Sequence, residues 1–399
     1  MNNFRYIVIL LTICTAFISC EKEDSRRYPV EESGRPIRFT TESEWPDITK
    51  APITGLGDLL DDGFRVWGAW AKDPDDNSYF VGEYSTGSNG SVFGQGGTLV
   101  NAVDVDKDDD FDPVGSNDTW SYASERNWYR GYYSFAAILP ESSLGNGPNA
   151  LVKSASLTSS FSKTGSGNDI QIAYSNTLNV IFPSTGLVLG GHNIEKDIKV
   201  PEAIQKDIMF AFQTEDNSDN QSENVSLNFT HAFARLGIKL LANDHEKMPF
   251  VTKVTLYGLY GSAASMALTQ ITTVQNYRTS SAEVSIENST SVNGVISTES
   301  QPFAVFSMPD GHYENDSTPG DMVLVQKLVV FPQDLVEMPL MIKLEYRKPV
   351  PGAPDDSPQY TDETYTYTIT LNKGELVPGG NYLFAFQVDE LNFNEISNN

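Results

Sequence analysis

The sequence predicts an all-β protein built from two tandem β-sandwich domains. Apolar and polar residues alternate in many short segments, turn residues (Gly, Pro, Asn and Asp) separate these segments, and the chain shows no long amphipathic helix. The chain has 399 residues, which is long for a single core. About seven strands in each half, with turns between them, favour two sandwiches.

The chain begins with the features of a lipoprotein signal. Arg5 precedes an apolar run, Tyr6 to Ile18, and the pair Ser19-Cys20 follows. A run of this length is typical of a signal peptide and is too short to span a membrane as a helix. A small residue before a cysteine predicts cleavage between Ser19 and Cys20, with acyl chains on Cys20 that anchor the protein in lipid. An ordinary secretory signal with an incidental cysteine is the alternative.

Composition excludes several classes of function. The formal net charge is −26, so phosphate backbones would be repelled and nucleic acid is not an expected partner. The only cysteines are Cys14 and Cys20, both within the signal, which leaves the rest of the chain without a disulfide, a thiol nucleophile or a thiolate metal site. The four histidines are scattered and no catalytic or phosphate-binding motif occurs. We therefore predict a protein without enzymatic activity or cofactor.

The first predicted domain spans 36–244, after a signal peptide (1–20) and a polar tether (21–35). Its strands are expected at 37–40, at 64–70, at 134–139, and in two runs within 171–182 that break at Ser175-Asn176. Segments 207–213 and 225–241 flank a polar loop and predict a hairpin. A short helix is the alternative for 202–209. The domain boundary is expected at 243–249, because a boundary inside the polar loop would divide the hairpin.

The second predicted domain spans 245–399 and ends in a short tail. The clearest strand runs from Tyr365 to Leu371, where four apolar residues alternate with three threonines. The other strands of this domain are predicted at 251–260, 282–286, 303–308, 322–331, 340–346 and 382–388.

Two segments suggest a ligand site. The acidic run 104–112 begins like a calcium loop, but Asp109 stands where the sharp turn needs glycine and Gly115 where a glutamate ligand belongs, so a solvated loop is the better interpretation. Aromatic residues cluster between 120 and 133. Trp120, Trp128 and Tyr129 are therefore candidates for stacking on sugar rings, with a sandwich core as the alternative.

The order of several motifs resembles the fimbrillin family, the lipoprotein-precursor pilins of Bacteroidales. A lipoprotein signal precedes a short strand (37–40), then Lys50-Ala51, and then an apolar strand (59–70). An apolar strand begins after Asp207, and Phe229-Thr230-His231-Ala232 follows a polar loop. The resemblance covers roughly 36–388.

The resemblance implies two transthyretin-like sandwiches and assembly by strand exchange. A protease would remove the first strand, within 36–48, and a strand of another fimbrial subunit would fill the vacated groove. The cut would follow Lys50, with Arg35 or the Arg26-Arg27 pair as alternatives. The expected product is a cell-surface subunit (tip, stalk or anchor) that is held by outer-membrane lipid through Cys20 and contacts host or bacterial receptors. The competing hypothesis is a monomeric surface lipoprotein that binds glycans through the aromatic patch.

Overall fold

A computed structural model describes most of the chain from Glu32 to Ile396. The described residues are 32–41, 64–71, 127–129, 131–139, 143, 145, 150–165, 169–195, 208–217, 224–241, 250–275, 282–307, 321–348, 350–353, 359–389 and 392–396. Within these ranges every extended element of regular structure is a β-strand, so the protein is all-β. The same ranges contain no helix long and apolar enough to cross a bilayer.

The strands are numbered in chain order. The first half contains β1 (Glu32–Pro36), β2 (Phe39–Thr41), β3 (Arg65–Ala71), β4 (Asn127–Tyr129), β5 (Tyr132–Leu139), β6 (Ser154–Thr164), β7 (Gln171–Ile181), β8 (Leu187–Val188), β9 (His192–Glu195), β10 (Met209–Asp216), β11 (Val225–Leu227), β12 (Thr230–His231) and β13 (Ala234–Leu241). The second half contains β14 (Phe250–Tyr257), β15 (Tyr260–Gln275), β16 (Glu283–Ile296), β17 (Ala304–Ser307), β18 (Asp321–Val330), β19 (Gln333–Asp334), β20 (Leu340–Arg347), β21 (Tyr365–Leu371), β22 (Glu375–Leu376), β23 (Asn381–Asp389) and β24 (Asn392–Ile396).

The sheet with strand order β12-β10-β5-β3 is covered on both faces. All eight residues of β5 are buried, as the continuous apolar run at 134–139 predicts for a strand inside the core. One face of this sheet, with Ala136 and Ile138, belongs to the largest core cluster. The opposite face, with Phe135 and Ala137, belongs to a second cluster that includes β2. We call this sheet the central sheet.

A larger sheet, with strand order β16-β15-β7-β6, covers one face of the central sheet, and β8 pairs with β15. Leu157, Leu178 and Leu268 come from three of its strands and join the same core cluster as Ala136 of the central sheet. The predicted break at Ser175-Asn176 is wrong, because β7 is continuous from Gln171 to Ile181. Asn176 is fully buried on the inner face, and Ser159 Oγ donates a hydrogen bond to its Oδ1.

Two further sheets form a sandwich, with strand orders β21-β20-β14-β17-β9 and β18-β13-β23-β24, and three two-stranded sheets, β1-β4, β2-β11 and β19-β22, complete the described fold. Their inner faces join the largest core cluster, for example through Val254, Leu344 and Leu236. The predicted strand Tyr365–Leu371 is confirmed as β21. Its threonines are exposed, while Ile369 and Leu371 are buried.

Three sheets combine strands from both sides of residue 244. β7 pairs with β15 over ten residue pairs, β9 pairs in parallel with β17, and β13 lies between β18 and β23. The division into 36–244 and 245–399 stays a prediction. The predicted hairpin is confirmed only at its start, since β10 pairs with β12 at Met209 and Phe210. β13 instead joins a different sheet, in which it pairs with β18 and β23.

Candidate functional site: a groove filled by the first strand

The segment 32–41, which contains β1 and β2 and is called the first strand below, fills an apolar groove on the face of the central sheet that carries Phe135. Ile37 and Phe39 have no exposed surface, whereas Arg38 between them is exposed. This alternation is what the sequence of residues 37–40 predicts for a half-buried strand. Burial of side chains of this size contributes about 1.5–3 kcal/mol each, so these two residues make a large favourable contribution to docking.

Aromatic side chains form the wall of the groove. The Phe39 ring meets the Phe135 ring edge-on, with centroids 5.6 Å apart. The Trp128 ring lies 4.8 Å from Tyr133, and Tyr133 stacks 5.8 Å from Phe135. Edge-to-face and offset arrangements of this kind add to the energy of apolar burial. The groove is therefore an apolar surface that needs a covering strand.

Two short ladders hold the backbone of the first strand in place. β2 pairs in parallel with β11 over three residues, and the Val225 amide donates to the Arg38 carbonyl at 2.7 Å. β1 pairs with β4 from Glu32 to Pro36, with a register shift inside this short ladder. The segment 32–41 is thus held by side-chain burial and by two short ladders. A strand from elsewhere with apolar residues in the same alternation could replace it.

A cleft of about 750 Å³ lies beside β10, on the other face of the central sheet. Backbone and side chains of Phe210–Asp216 line one side, and β15 and β16 line the other. Burial raises the pKa of the Glu215 carboxyl in this cleft, and the hydrogen bond donated by Gln213 Nε2, at 3.0 Å, opposes that shift. Among the described residues, no group of three His, Cys, Asp or Glu side chains is arranged to hold a metal ion.

Several predicted site residues lie outside the described part of the chain. These are Ser19, Cys20, Arg27, Lys50, Ala51, Trp120 and the acidic run 104–112. Arg35 is described: it lies in β1 and is partly buried. Tyr129 lies in β4, opposite Glu32.

The structure corrects the prediction for Trp128. Its side chain is only 1% exposed and packs in the wall of the groove, so it offers no face to a sugar ring. The wall residues Phe64, Tyr133 and Phe135 were not among the predicted site residues. The sequence nevertheless contains a feature that indicates the burial of Tyr133 and Phe135. Their strand is apolar on both faces, and such a strand needs a second covering layer.

Comparison with known proteins identifies the family. A family model described as "Fimbrillin-like" matches residues 85–398. No curated protein matches the chain. Among solved structures, a candidate cell adhesion protein from Bacteroides ovatus is 14% identical, with 91% of this chain and 95% of that chain covered and a TM-score of 0.34. A candidate cell adhesion protein from Bacteroides uniformis is 12% identical, with 90% and 96% covered and a TM-score of 0.31. A candidate adhesin from Bacteroides ovatus is also 12% identical, with 88% and 85% covered and a TM-score of 0.24.

The assignment rests on the family model, which matches most of the chain and includes β4 to β24. The resemblance found in the order of the sequence motifs is thereby confirmed. The chain belongs to the fimbrillin-like family.

Proposed function

We propose that this chain is a non-catalytic, structural or adhesive subunit of a cell-surface fimbrium, exported as a lipoprotein and assembled by strand exchange. Membership of the fimbrillin-like family supports the fimbrial role. The burial of Ile37 and Phe39 in the groove carries the proposal for assembly, because this strand occupies the place that a strand of another subunit would take.

The way in which the first strand is held supports the proposal of strand exchange. Burial of Ile37 and Phe39 stabilises the docked segment, and its backbone pairs over three residues with β11 and over a short ladder with β4. Loss of the strand would uncover Trp128, Tyr133 and Phe135, an apolar surface that is unstable in water. An incoming strand restores both the burial and the hydrogen bonds, so removal of the first strand and assembly are coupled.

The position of the cut decides whether the groove opens. Cleavage after Lys50 releases the whole segment 32–41, including Ile37 and Phe39. Cleavage after Arg35 or at the Arg26-Arg27 pair leaves both apolar residues attached to the rest of the chain. Arg35 also lies within the β1–β4 ladder, so a protease would have to open that ladder to bind an extended substrate. Lys50-Ala51 is therefore the favoured maturation site.

The proposed route places the precursor on the outer membrane. Acyl chains on Cys20 hold it in lipid, the polar residues 21–31 ahead of β1 space it from the bilayer, and the partners are other fimbrial subunits and surface receptors. Tip, stalk and anchor positions all remain compatible with the structure. A stalk subunit that donated its C-terminal strand would first have to release β24, which pairs with β23 from Asn392 to Ile396.

The test begins with native protein stripped from the cell surface. The sample is run in SDS without boiling, and the N-terminus of each band is sequenced. The expected result is a ladder of SDS-resistant species whose N-terminus is Ala51. A single monomer band with a blocked N-terminal Cys20 would refute strand exchange and leave a monomeric lipoprotein.

Matched variants separate the steps of this route. Lys50→Gln is expected to abolish the ladder and to leave the lipidated precursor on the surface. Arg35→Gln is the control, and it should assemble as the wild type does. Cys20→Ser should prevent incorporation of labelled palmitate. A ladder that persists in Lys50→Gln and disappears in Arg35→Gln would move the maturation site to Arg35.

A further inference from the structure

The outer face of the larger sheet has a composition unlike the rest of the chain. Strand alternation and the pairing registers place 20 residues on this face: the even-numbered residues 154–162 of β6 and the odd-numbered residues 173–181 of β7, 265–273 of β15 and 285–293 of β16. Thirteen of the 20 are Ser or Thr, and Glu287 is the single charged residue. We call this surface the hydroxyl face.

The hydroxyl face is open to solvent. Each of its residues is exposed or partly exposed, and Ile181 is 47% exposed. The opposite side of the same sheet carries the buried residues Leu157, Leu178 and Leu268, so the outer side is not needed for the core. The first strand lies beyond the central sheet, on the far side of the molecule from this face. Strand exchange would therefore leave the hydroxyl face unchanged.

We propose that the hydroxyl face is a self-association surface, through which two copies of this chain pack face to face. The first argument is charge. The chain carries a net charge of −26, so two copies repel each other on average. The hydroxyl face has one charge among 20 residues, so two copies can meet on it with little local repulsion.

The second argument is the chemistry of the side chains. Several hydroxyls already have partners across the strands: Thr177 Oγ1 and Thr269 Oγ1 lie 3.0 Å apart, and Asn179 Nδ2 donates to Thr158 Oγ1 at 3.5 Å. Polar groups that already have a hydrogen-bond partner lose less free energy when water is removed from them. Small side chains also lose little rotamer freedom on burial, in contrast to Lys, Arg and Glu. The face can therefore be covered at a low cost.

The third argument is size. With strands about 4.8 Å apart and successive residues of one face about 6.8 Å apart, the hydroxyl face covers about 650 Å². Two copies would bury about 1,300 Å², which is within the range of specific interfaces. A symmetric dimer uses the same patch on both copies. Because Thr177 and Thr269 occupy the centre of the patch, each would lie near its own counterpart at the twofold axis.

Sedimentation velocity of the chain from residue 21 onward, which contains every described residue, tests the proposal without requiring a fimbrium. We expect a reversible dimer that strengthens between about 20 mM and about 500 mM NaCl, because salt screens the repulsion between two acidic molecules. A chain that stays monomeric at both salt concentrations would overturn the proposal. A dimer that weakens with salt would also overturn it, since that dependence indicates attraction between opposite charges.

A charge variant and a matched control locate the surface. Thr177→Lys with Thr269→Lys places like charges at the centre of the interface and is expected to raise the dissociation constant by at least about 100-fold. The control is Thr366→Lys with Thr368→Lys, which changes two exposed threonines of β21 and adds the same charge to the chain. Equal weakening in both variants would overturn the proposal, as would unchanged association of the first variant.

A cysteine pair keeps the proposal testable if the lysine variant does not fold. The chain has no cysteine after Cys20, so a single introduced thiol has only its own copy as a partner. Thr269→Cys is expected to form an intermolecular disulfide under mild oxidation, whereas Thr368→Cys should remain largely monomeric. Equal cross-linking of both variants would place the contact elsewhere and refute the hydroxyl face as the interface.

Discussion

Truncation of Phe39 tests whether side-chain burial holds the first strand in its groove. Phe39 is fully buried against Phe135, with ring centroids 5.6 Å apart. Replacement by Ala removes most of that contact, and we expect the docked state of segment 32–41 to lose about 2–3 kcal/mol. Since about 1.4 kcal/mol corresponds to a tenfold change, the undocked fraction should rise by about 30- to 150-fold.

Hydrogen exchange measures this change at one atom. The Val225 amide donates to the Arg38 carbonyl at 2.7 Å, so its exchange requires the first strand to leave β11. Phe39→Ala should accelerate exchange at Val225 by the factor above and leave β21 unchanged. Arg38→Ala is the control: its side chain is exposed, and exposed substitutions usually change stability by less than about 0.5 kcal/mol. Similar exchange rates at Val225 in both variants would refute the argument that apolar burial holds this strand.

Three further predictions concern stability. Gly258 has a φ of +88°, and a Cβ there would lie 2.2 Å from the Pro339 carbonyl oxygen. Gly374 has a φ of +79° but lies in open space, so we expect Gly374→Ala to cost about 1–2 kcal/mol and Gly258→Ala to lower the urea midpoint further. Equal losses in the two variants would contradict the steric argument. Asn176→Ala should cost about 1–3 kcal/mol because it leaves the buried Ser159 hydroxyl without its partner. The double variant Ser159→Ala with Asn176→Leu replaces both partners by apolar groups and should be nearly neutral. A double variant as unstable as the single one would argue against this explanation. Burial holds the pKa of Glu215 above its ordinary value of 4.5, so the stability associated with its protonated form is complete below that value and is lost as the pH rises through the raised pKa. Glu215→Gln should therefore gain stability over the wild type as the pH rises from 4.5 towards neutrality. A difference in unfolding free energy between the two proteins that stays constant in denaturation curves at several pH values would refute the shift.

Most strand positions could be predicted from local pattern. β3, β5, β20 and β21 begin and end within two residues of the predicted segments, because a strand needs only alternation or a continuous apolar run between turn residues. The sequence predicted only residues 282–286 of the long hairpin β15–β16, and it missed β15 apart from its first residue, Tyr260. The rest of this hairpin is rich in Ser, Thr, Asn and Ala, so it shows little of the apolar alternation that marks a half-buried strand.

Local sequence pattern predicted only some of the residues that form the groove and its covering strand. Ile37 and Phe39 were expected in the first strand, and the structure buries both. The role of Trp128 could not be predicted in the same way, because an aromatic residue in a strand suits either a core or a rim. Its burial depends on Tyr133 and Phe135 in β5 and on Phe39 in β2, which are distant in sequence or lie on other strands.

The sequence by itself determined the all-β class, the approximate strand positions, the strong negative charge and the resemblance to the fimbrillin-like family. These properties depend on neighbouring residues or on composition, which a linear chain already contains. Only the tertiary structure decided that β2 pairs with β11, that β13 enters the sheet of β18 and β23, and that hydroxyl residues from four strands form one face. The physical reason is that backbone hydrogen bonds are alike in every strand, so the choice of partner depends on which side chains can be buried together across the whole chain.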